Sequence, residues 1–224
     1  MVLPAYQEAE NLRVLLPRLA AVLGDLPGGA EVLVVDAMAA MDATAAVCAA
    51  AGAACLNRTG GNAYGDAVRT GIARAQGRYI LFMDADGSHD PEFIAKMFAR
   101  RGPHAVVVAS RYVAGGDTEN PRRLILMSRL VNLVYALVLG LRCRDVSNSF
   151  KLYPAALIKP LTLRCANFDV VEELLVKAAR REPGLTIIEL PFTFKKRRFG
   201  QTKRNLFLFM LTYLWSLMRL RLGR

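Results

Sequence analysis

Two carboxylates stand one residue apart in MDADGSHDPEFI, residues 83–94. Asp84 and Asp86 follow the apolar run YILFM and precede a segment with helical signals, which places their oxygens at the end of a buried strand. Hard oxygen ligands at that spacing could hold a divalent cation, which in turn clamps a diphosphate. A lone D-x-D also serves as a loop or helix cap. Here Asp90-Pro91-Glu92 supplies an N-cap, a proline at the first helical position and an early acid, so Asp90 is expected to cap the helix and Asp84 and Asp86 are left for chemistry. A second constellation lies far along the chain in FKKRRFGQTK, residues 194–203. Arg197 and Lys203 flank Gly200, a cationic pair on a flexible turn that could grip two phosphate groups at once. The other reading of this run is a solvated basic stretch or a membrane anchor.

The elements that must position these residues follow from hydrophobic patterning. VLVV at 32–35, YILFM at 79–83 and AVVVA at 105–109 read as buried strands, and 11–23, 43–51 and 64–75 as helices. A largely parallel sheet wrapped by helices follows. In such sheets ligands gather at the carboxyl ends of the strands. PAYQE ends the first strand, Asp36 the second, and Asp84 and Asp86 the third. Only residues 1–3 precede Pro4, a short opening strand that points to a native start upstream. Asp42 is expected to cap the helix that starts at Ala43.

The 224 residues, 54% of them hydrophobic, suffice for one sizeable α/β core plus a short appendage beginning near Pro191. A net charge of +11 suits nucleic acid, an anionic membrane surface or a phosphorylated substrate. The excess is local: Lys195, Lys196, Arg197, Arg198, Lys203 and Arg204 share one stretch, and Arg219, Arg221 and Arg224 close the chain. Without an aromatic-basic platform, nucleic acid is not expected as a partner. Four cysteines without CxxC pairing and only two histidines offer no zinc set, which favours a reduced chain. MVLPAYQE carries no signal-peptide pattern. The apolar stretches 130–141 and 206–218 fall short of the about 20 residues that cross a bilayer. Peripheral attachment at the cytoplasmic face of a membrane is the expected location.

VLPAYQEAENL, VVDAMAAMDAT, GNAYGDAVRTGIARAQGRYILFMDADGSHDP and SRYVAGG occur in the order found in glycosyltransferase family two, which this chain resembles over almost its whole length. DVSNSFKLY at 145–153 and the R-x-x-G-x-S/T-K spacing of the basic run resemble the dolichol-phosphate and polyprenyl-phosphate mannosyltransferases of that family. The resemblance implies a GT-A (Rossmann-like) α/β fold with a mostly parallel central sheet and interfacial amphipathic helices. It implies a GT-A domain over 1–190 and a basic acceptor-phosphate loop with an apolar membrane-associated helix over 191–224. Carried onto this sequence, Pro4, Tyr6, Glu8, Val35, Asp36, Asp84, Ala85 and Asp86 would bind the nucleotide sugar. Asp84, Asp86 and Ser88 would hold Mg2+ or Mn2+; Asp86, Arg111, Arg197 and Lys203 would act in catalysis. The chain departs from many members in having Ala37 where a second acid follows Asp36, Gln7 in place of the common Asn, and Ser88 where a Gln is frequent.

The segment 122–142 is apolar on nearly all sides and bracketed by arginines, a pattern for a helix in the headgroup boundary or for a buried core helix. Tyr213 and Trp215 beside the basic C-terminal end give a second interfacial pattern. The expected reaction is inverting transfer of a hexose from a GDP- or UDP-sugar to a polyprenyl phosphate on an anionic membrane. A phosphate monoester is already anionic, so no base is needed to create the nucleophile. Glu172 and Glu173 are candidate bases if the acceptor is instead a saccharide or lipid hydroxyl. A basic binding module without chemistry is the more distant alternative.

Overall fold

The computed structural model describes residues 1–197, 199 and 206–222. Its centre is a seven-stranded sheet, and the three apolar runs named above form three of its strands. In chain order these elements are β1 (Val2–Pro4), α1 (Ala9–Gly24), β2 (Leu33–Asp36), α2 (Thr44–Ala50), β3 (Ala54–Asn57), α3 (Tyr64–Arg74), β4 (Tyr79–Phe82), α4 (Phe93–Ala99) and β5 (Ala105–Ser110). There follow β6 (Asp117–Thr118), α5 (Arg122–Leu139), β7 (Lys151–Pro154), α6 (Ala155–Ile158), α7 (Val170–Arg181), β8 (Thr186–Pro191), β9 (Thr193–Phe194) and α8 (Leu206–Arg221).

The sheet order is β3-β2-β1-β4-β7-β5-β8, and only β7 runs antiparallel to its neighbours. β6 and β9 pair in a small second sheet. Two apolar layers cover the large sheet. One gathers Val2, Val35, Ile80 and Phe82 with α3, α5, α7 and α8; the other gathers Leu3, Val34, Leu81 and Met83 with α1, α2 and α4. Period-two alternation along each strand sends neighbouring residues to opposite layers. α3 lies so close to β1 that a Cβ on Gly71 would come within 2.3 Å of a Val2 methyl.

Two local expectations change. The fourth helix begins at Phe93 after a turn, and Asp90 makes no side-chain bond to its end. Asp90 instead receives Arg18 and Lys195, because two cations offer a surface carboxylate more than one amide does. Asp42 does receive the Thr44 amide at the start of α2, and also the Ala9 amide at the start of α1. Among the described residues no helix is long and apolar enough to cross a membrane.

Candidate active site

The strand ends named from sequence converge at one edge of the sheet. β1 pairs with β2 in register, Pro4 opposite Val35, and the Ala5 amide donates to the Val35 carbonyl at 2.9 Å. The chain then bends through Gln7, whose φ of 56° is the left-handed region that Asn and Gly tolerate best. That bend delivers Glu8 to the mouth of the site. Tyr6 lies beneath the Arg58 guanidinium, 5.5 Å from its ring centre. Arg58, a residue that patterning alone did not single out, is buried and ties the loops together by donating to the carbonyls of Ala5, Asn62 and Ala63. Asp36 closes β2, also buried, and its Oδ1 has no hydrogen-bond partner among the described residues. Burial raises its pKa.

The D-x-D turn is built locally. Gly87 takes φ of 79°, which lets the chain double back. Ser88 then donates from both its amide, at 3.0 Å, and its hydroxyl, at 2.6 Å, to Asp86 Oδ1. Ala85, between the two acids, is buried. Asp84 Oδ1 accepts from the Tyr64 hydroxyl at 3.0 Å, and Tyr64 stacks on Phe168. Burial works against the Asp86 charge, yet hydrogen bonds from Ser88 and the Arg197 cation hold its pKa below the ordinary value.

The basic segment crosses this mouth. The Lys195 amide donates to the Ser88 carbonyl at 3.0 Å, and its ammonium reaches Asp90. Arg197 then spans two carboxylates: Nη2 donates to Glu8 Oε1 at 2.6 Å and Nε to Asp86 Oδ2 at 3.2 Å. The Phe199 amide donates to Asn11 Oδ1, and Asn11 also donates to Glu8. Burial raises the Glu8 pKa, and the Arg197 charge partly offsets this. Lys203, Gly200 and Arg198 lie outside the described residues.

Arg111 follows β5 but turns into a different network. It donates to Asp145 through Nε at 2.8 Å and Nη2 at 2.7 Å, and to Ser147 Oγ at 3.0 Å. Both partners belong to the DVSNSF stretch. Glu172 and Glu173, the candidate bases for a hydroxyl acceptor, are both buried in α7. Glu173 accepts from the Arg164 and Cys165 amides and from Lys177, and Glu172 accepts from the Tyr213 hydroxyl. These bonds commit them to holding α7 and α8.

Whether the donor set suits a hard divalent cation can be judged from Arg197. One guanidinium reaches both Glu8 and Asp86, so the site already concentrates carboxylate oxygens on one cation. Asp84 and Asp86 with the Ser88 hydroxyl are oxygen donors of the type Mg2+ and Mn2+ take, and the remaining ligands would come from diphosphate and water. The residues fit.

The glycosyl transferase family 2 model matches residues 1–175. The chain belongs to that family. It is similar to an undecaprenyl-phosphate mannosyltransferase of Micrococcus luteus, 30% identical over 91% of this chain and 86% of that protein. A dolichol-phosphate mannosyltransferase of Saccharomyces cerevisiae is likewise 30% identical, over 91% of this chain and 79% of the relative. Its fold is shared by glucosyl-3-phosphoglycerate synthase of Mycobacterium tuberculosis, solved with Mn2+, UDP and phosphoglyceric acid: TM-score 0.75, 17% identity, 99% of this chain and 77% of that one. The same synthase solved with Mg2+ and UDP gives a TM-score of 0.72 at 18% identity, covering 99% of this chain and 78% of that one. The protein is therefore a family-2 glycosyltransferase of GT-A fold.

Proposed function

We propose that this family-2 enzyme transfers a hexose, mannose or glucose, from a nucleotide diphosphate to a polyprenyl phosphate at a membrane surface, with inversion. The observation that carries this reading is Arg197, a cation from the basic segment lodged between Glu8 and Asp86. A family-2 enzyme that acts on a hydroxyl needs a base, whereas an anionic acceptor needs a cation to hold it beside the donor. Here Glu173 is tied to the Arg164 and Cys165 amides, Glu172 is buried against the Tyr213 hydroxyl, and the cation stands at the donor carboxylates.

In this mechanism Pro4, Tyr6, Glu8, Val35 and Asp36 line the nucleoside side, with Arg58 bracing the loop. Asp84, Asp86 and Ser88 would hold Mg2+ or Mn2+, which supplies charge neutralisation to the departing diphosphate. Arg197 and Lys203 draw the acceptor phosphate onto the anomeric carbon opposite the leaving group. No proton has to be removed, so catalysis is positioning plus electrostatics. Arg111 is spoken for by Asp145, and that nearly neutral pair suits it to fixing the DVSNSF stretch beside the site better than to carrying charge onto a phosphate.

The lipid tail requires a surface, and α5 with α8 offers one. Leu126, Leu130, Leu133 and Leu137 on α5, Trp215 and Met218 on α8, and Leu222 just after it are exposed. Arg122, Arg123, Arg219 and Arg221 flank them, as anionic headgroups would favour. In this proposal residues 191–224 are the acceptor segment, and the enzyme binds the cytoplasmic leaflet peripherally. The deciding experiment offers a panel of labelled nucleotide sugars with membrane lipid and identifies the product by mass. A lipid-linked product labile to mild acid is expected; an acid-stable glycoside would turn the assignment to a hydroxyl acceptor.

A further inference from the structure

Beneath the D-x-D turn lies a fully buried histidine that the reaction as described does not use. His89 is enclosed by Phe150, stacked at 4.8 Å between ring centres, and by the edge-on rings of Phe192 and Phe194. An apolar side chain would suit that cage better, because burying an imidazole costs free energy unless both nitrogens are bonded. Both are. Nδ1 lies 3.1 Å from the Asp84 amide nitrogen, and Nε2 lies 3.1 Å from Asn148 Oδ1.

The hydrogen positions follow by elimination. Asn148 Nδ2 is 2.6 Å from the Ala109 carbonyl, so that end of the amide must be the donor and the other end, facing His89, the acceptor. Nε2 therefore carries the hydrogen. Nδ1 is left bare, and it meets the Asp84 N–H as an acceptor. The chain of bonds runs from β5 through Asn148 and His89 to the backbone of the first acid of the turn.

We propose that His89 is a positioning residue for the metal-binding turn: it anchors the Asp84 backbone to β5 and so holds Asp84 and Asp86 at one fixed separation. The idea rests on the reading of those two acids as metal ligands. The Ser88 hydrogen bonds and the left-handed Gly87 fix Asp86 within the turn, and His89 fixes the turn within the sheet. Partners standing behind metal ligands in this way are typically worth about 10- to 100-fold in metal affinity.

Two substitutions separate the two nitrogens. In His89→Asn the amide oxygen replaces Nδ1 and keeps the Asp84 acceptor; in His89→Gln the amide replaces Nε2 and loses it. Binding of Mn2+ alone, read from the paramagnetic resonance of the free ion, should stay within about threefold of wild type in His89→Asn and weaken at least about tenfold in His89→Gln. A merely structural histidine would lower the melting temperature in both and leave Mn2+ affinity unmoved, which overturns the proposal, as does an equal or reversed loss in the two variants. Asp86→Ala serves as the reference. If it binds Mn2+ like wild type, the metal assignment fails; if it alone loses Mn2+, only the role of His89 fails. Should either histidine variant not fold, the nitrogen resonances of His89 in the wild-type protein decide, since an Nδ1–H tautomer contradicts the anchor.

Discussion

Helices α3 and α5 obey opposite rules. In α3 the apolar residues Ala67, Val68 and Ile72 are buried against the sheet, and Arg74 and Ala73 face out. In α5 the two buried residues are Asn132 and Tyr135, whereas Leu126 and Leu137 are each 72% exposed. Asn132 exchanges hydrogen bonds with Ser147, and the Tyr135 hydroxyl donates to the Tyr213 carbonyl at 2.6 Å. The donor half of the protein thus stabilises itself by ordinary burial. Helix α5 enters the apolar layer through Tyr135, with Val131 and Val134 packed against it, and adds the polar contacts of Asn132, but it turns Leu126, Leu130, Leu133 and Leu137 outward, an arrangement that costs solvation free energy in water and repays it only against an apolar phase. The contrast predicts that chemistry and membrane attachment can be broken separately.

The largest effect is expected from Asp86→Ala, which damages the donor half alone. Metal-dependent transfer should fall on the order of a thousandfold or more, with vesicle binding and the melting temperature little changed. Turnover unchanged at saturating metal would remove the site assignment.

Arg197 joins the two halves, so its loss should register in chemistry wherever the lipid is presented. Charge-assisted contacts in a water-poor site are worth about 3 kcal/mol, which sets the expected loss for Arg197→Ala on the order of a hundredfold. Lys203→Ala should behave alike. Assay with a detergent-solubilised short-chain polyprenyl phosphate is the sharp version: wild-type rates there would reassign the run to membrane anchoring.

Replacing Leu126, Leu130 and Leu137 together by Asp tests the outward face. Co-sedimentation with anionic vesicles should drop by at least about tenfold, while activity on the detergent-solubilised acceptor persists. Undiminished vesicle binding would mean that this face meets something other than lipid.

The smallest effect concerns the polar packing behind α8. Burial pushes the Glu172 carboxyl up to about 8, against the pull of the Tyr213 hydroxyl and Lys151. A carboxyl whose folded pKa is raised contributes its stabilisation fully below the ordinary carboxylate range and loses it as pH rises through about 8. Between those limits stability should decline by up to about 1.4 kcal/mol per pH unit. Glu172→Gln should flatten that slope in thermal melts; parallel curves for the two proteins would show that the acid is already ionised.

Much of the donor site was legible because it is local. The D-x-D turn, Gly87 and Ser88 interact within a few residues, and short-range geometry follows from residue type. The parallel strands β2, β4 and β5 announced themselves as apolar runs because both their faces are covered. β3 did not, since as an edge strand its residues are only partly covered and carry no such run. Asp90 read as a helix cap from its neighbours, and only the approach of Arg18 and Lys195 redirected it.

What the sequence by itself determined is therefore the class of chemistry: an acidic turn at a strand end, a basic segment with phosphate-binding spacing, and apolar stretches too short to span a bilayer. Tertiary structure alone decided which groups meet. Arg197 and Glu8 lie 189 residues apart, and Asn148 and His89 lie 59 apart. Which side of α5 faces inward was settled by partners on other elements: Ser147, Tyr213 and the apolar layer that takes Val131 and Val134. Periodicity reports which residues share a face, but a face acquires its neighbour only when the chain closes on itself, and burial of Asn132 in place of a leucine depends on the hydrogen bonds waiting there.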